Sequence, residues 1–209
     1  MHVLFVNKVA PNLGGGAEAR IQEVGRRMVE AGHRVSVVCG ITAPNLPSRA
    51  VLEGMDVRYV RTLPDSLLRR SRAAFTPSRV LFYLHPQTLK TLRQVHDENG
   101  VDVICDDISP IPTPGASQFA RTLGIPAIGV VHNLSGDWQA WKRNYGIASG
   151  TAGYFAERWL RNTQPYQHII SDSAWMVDAL ATSMPRCGSP GSQTALIPRC
   201  FTPGQKPLP

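Results

Sequence analysis

Three consecutive glycines, Gly14, Gly15 and Gly16, stand in front of Ala17 and Glu18 at the start of a helical pattern. Glycines there let a ligand approach the backbone closely, and the first N–H groups of a helix have no partner inside it. Such a loop favours a phosphate or a carboxylate; its bland alternative is a flexible turn. Two further places carry chemistry. Asp106 and Asp107 follow the predicted strand at residues 101–105, and His132 follows the apolar strand at residues 125–131. Carboxylates at a strand end can accept hydrogen bonds from ligand hydroxyls, or cap a turn before Pro110. His132 ends an apolar strand where an imidazole has little packing reason to be, which makes it the candidate catalytic group.

Strand and helix patterns alternate along the chain and must position these residues. Leu4, Phe5 and Val6 form an unbroken apolar run, as in a strand covered on both faces. Ile21, Val24, Met28 and Ala31 recur at helical spacing, with Arg20, Glu23, Arg26, Arg27 and Glu30 largely on the other side. Gly32 closes that helix and a second strand follows at once, which implies a right-handed crossover. Further strands are predicted at residues 55–60, 101–105, 125–131, 168–171 and 195–198. Helices are predicted at 78–84, 86–98, 115–123, 151–161 and 173–183, with Pro86 separating two helices or opening the second. The sum is a single α/β domain over residues 1–201. Its sheet is a doubly wound, Rossmann-like, all-parallel sheet of about seven strands. Residues 202–209 read as a proline-rich linker or tail.

Composition narrows the function classes. With 209 residues and 43% apolar content the chain can bury a full core. No window reaches the roughly 18 to 20 apolar residues of a membrane span, and no signal peptide is evident, so a cytoplasmic protein is expected. Cys39, Cys105, Cys187 and Cys200 share no metal-type spacing, and reduced thiols are expected, with no metal. A net charge of +7 favours an anionic partner such as a nucleotide or a phospholipid surface; no nucleic-acid partner is expected. Arg69, Arg70, Arg72 and Arg79 surround Phe75, a basic-aromatic pattern that suits peripheral contact with an anionic membrane or, alternatively, a solvated loop. Residues 132–150 read as an unusually long loop carrying Trp138, Trp141, Lys142, Arg143 and Tyr145, which serves either a ligand or surface packing.

Gly14, Gly16 and Ala19 satisfy the G-x-G-x-x-A spacing of dinucleotide sites. The context differs. Lys8 to Leu13 separate the strand from the glycines, and the second strand ends in Cys39-Gly40 with no acid for a ribose hydroxyl.

A different set of motifs fits in order along nearly the whole chain. They are Gly15-Gly16-Ala17-Glu18, Glu30-Ala31-Gly32-His33-Arg34-Val35, Leu123-Gly124-Ile125-Pro126-Ala127, Val131-His132-Asn133, Ile170-Ser171-Asp172-Ser173 and Leu196-Ile197-Pro198. Together they resemble the N-terminal, acceptor-side domain of the retaining GT-B glycosyltransferases of family 4. The resemblance implies transfer of a hexose from a nucleotide-sugar to a lipid, glycan or small-molecule acceptor, with the nucleotide-sugar as co-substrate and no other cofactor. It places Gly15 and Gly16 near the donor diphosphate, with Glu18 beside them among the substrate-binding residues. His132 then faces the acceptor or the transferred sugar, and Asp106, Asp107, Asn133 and Ser173 join in binding substrate. Arg199-Cys200-Phe201 replaces the family's usual Asn-Gly-Val. The donor-binding C-terminal domain is expected to be absent, so the chain is expected to need a partner domain for activity. Two other readings stand beside this one: a non-catalytic sugar- or nucleotide-binding scaffold, and an NAD-dependent oxidoreductase.

Overall fold

A computed structural model of the chain describes residues 1–11, 15–40, 46–61, 85–108, 114–131 and 168–171, with Phe82 and scattered positions between 138 and 158. Seven strands form one sheet: β1 (His2–Asn7), β2 (Arg34–Gly40), β3 (Arg49–Leu52), β4 (Met55–Val60), β5 (Val103–Ile108), β6 (Ala127–Val131) and β7 (His168–Ser171). Their order is β3-β4-β2-β1-β5-β6-β7. Among the described residues α1 (Gly16–Glu30) connects β1 to β2, α2 (Pro86–Asn99) lies between β4 and β5, and α3 (Pro114–Leu123) between β5 and β6. The chain winds outward from β1 in one direction through β2 and β4, and in the other through β5, β6 and β7. A switch point therefore lies between β1 and β5, where open α/β sheets hold their ligands.

Alternation along each strand divides the core in two. Leu4 and Val6 of β1 and Ile104 of β5 face Leu92 and Val95 of α2 and Phe119 and Ala120 of α3. Val3 and Phe5 of β1, with Val35, Val37 and Val57, face Ile21 of α1. All these side chains are buried, so the sheet is covered on both faces, as the unbroken apolar runs require. Pro86 does open α2, behind His85, whose ring accepts from the Gln87 N–H at 3.2 Å. The end of α1 also agrees with expectation, with Gly32 in the left-handed region at φ 81°.

Helix α1 lies close to the sheet because Gly25 in its middle has no side chain. A Cβ there would sit 2.2 Å from the Met55 sulfur, and Met55 is fully buried. Gly25→Ala gains about 1 kcal/mol of helix propensity but overpacks at a cost of about 1–3 kcal/mol. The expected net result is a loss of about 1 kcal/mol, read as a lower denaturant midpoint at unchanged slope.

The parallel expectation fails at one edge. β3 pairs antiparallel with β4 through a two-residue turn, Glu53-Gly54, in which both residues have positive φ, 50° and 82°. That conformation matches the twist of a hairpin, and glycine at the second position lowers its cost. Strand β3 is only four residues long and alternates between exposed and half-buried residues, which is why its sequence reads as a connection. The predicted strand at 195–198 and the predicted helix at 173–183 lie outside the described residues, as does the helix at 78–84 apart from Phe82, which is helical. The segment read as a loop at 132–150 is helical at each described position from 138 onward, and Trp141 within it is fully buried.

His2 ties the sheet together at the end opposite the glycine loop. Its Nδ1 lies 2.6 Å from the Gly100 carbonyl oxygen and its Nε2 lies 2.9 Å from Ser36 Oγ. Burial holds its pKa below the ordinary 6.5. The unfolded chain therefore takes up a proton that the fold resists, and stability present above that value is lost as pH falls through it. Thermal unfolding followed from about pH 7 to about pH 5 should show a falling midpoint, with a shallower slope in His2→Gln.

Candidate functional site

The carboxyl ends of β1 and β5 and the start of α1 meet at the switch point. Asn7 ends β1, and by alternation its side chain lies on the α1 face with Phe5. Val6 pairs with Asp106, so Asp107 stands one step further on, beside Asn7. Both aspartates lie inside β5 and are buried, at 0% and 4% exposure, whereas the sequence places them after the strand. They point to opposite faces: Asp106 with Ile104 toward α2 and α3, Asp107 with Cys105 toward α1. The two carboxylates therefore do not act as one pair.

Helix α1 supplies the partners. Arg20 Nη2 donates to Asp107 Oδ2 at 3.0 Å, which compensates a carboxylate that is nearly inaccessible. Glu18, buried at 8% exposure, curls back over the N-terminal cap of its own helix. Its Oε1 lies 3.4 Å from Asn7 Nδ2, and its Oε2 would be 2.0 Å from a Cβ on Gly15. Gly16, the first residue of α1, has nothing within 4 Å of its Cβ position. The glycines thus do different things: Gly15 makes room for Glu18, while Gly16 borders open space. Burial pushes the neighbouring Cys105 thiol up to about 11, so it stays protonated at neutral pH; Cys39 is pushed up further.

The six residues that separate β1 from the glycines are not slack at their start. The Lys8 carbonyl oxygen would be 2.7 Å from a Cβ on Gly40, the last residue of β2, and Val9 and Ala10 are buried. The chain leaving β1 therefore sets its main chain against the last residue of β2.

The structure brings together Gly15, Gly16, Glu18 and Asp107, and sets Asp106 behind them on the other face. His132, Asn133 and Ser173 lie outside the described residues, as do Gly14, Arg69, Arg70 and Arg72; Val131, just before His132, ends β6. Asn7 and Arg20 also stand at the site, although in sequence one is a polar residue after an apolar run and the other a polar helix position. Their signal is weak in sequence, because each becomes legible only with the partner that folding supplies. Among the described residues no group of three or more His, Cys, Asp or Glu side chains could hold a metal ion, and no helix is long and apolar enough to cross a membrane.

A doubly wound sheet with a glycine loop, an acid and an amide at its switch point is a Rossmann-like domain, here with the fold found in GT-B glycosyltransferases. The chain belongs to glycosyltransferase family 4, whose sequence profile matches residues 14–203. Solved structures share the fold at low identity. Sucrose-phosphate synthase from Thermosynechococcus elongatus matches with TM-score 0.64 and 14% identity over 90% of this chain and 46% of that one. UGT2 of Phytolacca americana, complexed with UDP-2fluoro-glucose and pterostilbene, matches with TM-score 0.51 and 12% identity over 87% and 50%. Os79 from O. sativa, in complex with UDP and deoxynivalenol-3-glucoside, matches with TM-score 0.54 and 12% identity over 88% and 53%. The chain spans about half the length of these structures. No curated protein matches the sequence significantly.

Proposed function

We propose that this chain is the acceptor-binding half of a nucleotide-sugar-dependent glycosyltransferase, which transfers a hexose to a lipid, glycan or small-molecule acceptor once a donor-binding domain faces it. The observation that carries the reading is the meeting of Gly15, Glu18, Asn7 and the Arg20–Asp107 pair at the switch point of a family-4 chain. The ligands of a fold neighbour support it: UGT2 of Phytolacca americana is complexed with UDP-2fluoro-glucose and pterostilbene.

In this reading α1 presents its N-terminal N–H groups and positive dipole end to the departing nucleoside diphosphate, and the second domain closes over it. Glu18 supplies an acceptor for hydroxyl groups at the helix start, and the part-buried Arg20–Asp107 pair holds α1 against β5 beside it. His132 and Asn133 act at the end of β6 on the acceptor side, and Ser173 contributes from the segment after β7. No metal or organic cofactor is required. Arg69, Arg70 and Arg72 add a peripheral contact with an anionic membrane.

The test is transfer from a panel of nucleotide-sugars to lipid and glycan acceptors, with product mass as the readout. Turnover is expected only when the chain is joined to, or mixed with, a family donor-binding domain. Turnover by the chain alone would refute the half-site reading, and tight calorimetric binding of NAD would favour an oxidoreductase instead.

A further inference from the structure

The amino-terminal end of the sheet holds an open cleft of about 610 Å³ between the exits of α1 and α2. Six-residue β1 separates it from Asn7 and the switch point by roughly 16 Å. Its floor is built from the starts of the three central strands. His2 pairs with Arg34, and Val3 with Val103, so Arg34 and Asp102 stand level on either side of His2. The His2 N–H donates to Asp102 Oδ2 at 2.6 Å, and the buried His2 ring has a hydrogen-bond partner at each nitrogen. Arg34 Nη1 donates to the Asn99 carbonyl oxygen at 2.9 Å, which fixes the guanidinium against the end of α2.

The lining keeps hydrogen-bonding capacity in reserve. Among the described residues the His33 ring, the Asn99 amide nitrogen, Arg34 Nη2 and Asp102 Oδ1 have no hydrogen-bond partner, and all four residues line the cleft. Gly32 and Gly100 border it as open space, since a Cβ on either would meet nothing within 4 Å.

Charge narrows the occupant. Arg34 and Asp102 balance each other, and the dipoles of α1 and α2 present their negative ends here, so neither an anion nor a cation is favoured. The apolar side chains of the lining, Met1, Val29 and Val101, are too few for a hydrophobic ligand. Donors and an acceptor set side by side match hydroxyl groups, each of which can accept from an N–H and donate to a carboxylate. We propose that this cleft binds an uncharged saccharide, its hydroxyls accepting from His33, Asn99 and Arg34 and donating to Asp102. The volume lies within the roughly 300–1,000 Å³ of small-molecule sites. The proposal does not depend on glycosyl transfer at the switch point.

The isotope-labelled full chain is titrated with maltose, lactose and sucrose, and amide chemical shifts are followed by NMR. The amides of Gly32, His33, Gly100 and Asp102 are expected to move with at least one of the three. His33→Ala and Asn99→Ala should each weaken that binding about fivefold, the effect of one lost hydrogen bond. Their thermal melts should match the parent, because neither substitution removes a well-formed side-chain hydrogen bond of the fold. No movement with any of the three, or movement confined to Gly16, Glu18 and Asp107, would overturn the proposal. So would unchanged affinity in both variants, or tighter binding of inorganic phosphate or glycine in the cleft than of any saccharide.

Discussion

Gly15→Ala, in the chain joined to a donor-binding domain, is expected to lower kcat/KM about hundredfold while leaving the unfolding midpoint nearly unchanged. The backbone gives no reason for a glycine at this position: φ is 161°, an extended conformation open to any residue. The reason is the carboxylate. A single added carbon would stand 2.0 Å from Glu18 Oε2 and 3.1 Å from its Cδ, so Glu18 must swing off the cap and away from Asn7. A misplacement of about 1 Å in a positioning group can cost about hundredfold in rate. Gly16→Ala is the control, because its Cβ meets nothing within 4 Å, and it should be close to the parent. If Glu18 transmits the effect, Gly15→Ala adds little in a Glu18→Ala background. Equal losses from both glycine variants would show that the loop backbone, and not Glu18, matters there.

The largest stability effect is expected at Arg58. Its side chain, 6% exposed on the α2 face of β4, donates to Asp56 at 3.0 Å from Nη2 and to Glu98 of α2 at 3.1 Å from Nη1. Asp56 in turn takes Arg49 of the edge strand at 2.6 Å. One guanidinium thus fastens the last turn of α2 to the hairpin of β3 and β4. Arg58→Ala removes the stem packing and leaves Asp56 half-buried with less compensation, which should cost about 3 kcal/mol. In a chain of this size that is a fall of about 6–12 °C in the unfolding midpoint, measured by calorimetry. The same contact holds the Glu98 carboxyl down at about 2, against its ordinary 4.5. Its contribution is therefore present above pH 4.5 and is lost as pH falls toward 2, a limb of the acid-unfolding curve that should be flatter in the variant.

Legibility followed how each residue gets its environment. β1 and β2 could be read because sequence-local apolar runs match a sheet covered on both faces, and β4 because Met55, Val57 and Tyr59 alternate along it. β3 could not, since an edge strand buries one face weakly and is held by a turn whose glutamate gives no hairpin signal. β5 was read three residues short at its end, because two aspartates look like the end of a buried strand. Arg20, 87 positions away in sequence, is what permits Asp107 to stay inside it. The site shows the same division. The glycines and Glu18 form one contiguous motif, visible before any fold is known. Asn7 and Arg20 gain their roles only when the sheet order puts β1 beside β5, and nothing local to either residue announces that.

The approach of Lys8 to Gly40 makes the end of β2 a place where main chain, not a side chain, fills the space. Of the six residues between β1 and the glycines, the first sets its carbonyl oxygen against the last residue of β2, and Val9 and Ala10 behind it are buried. Gly40 is thereby a clearance on a neighbouring strand: any larger residue there would push back the chain that leads out of β1 toward α1.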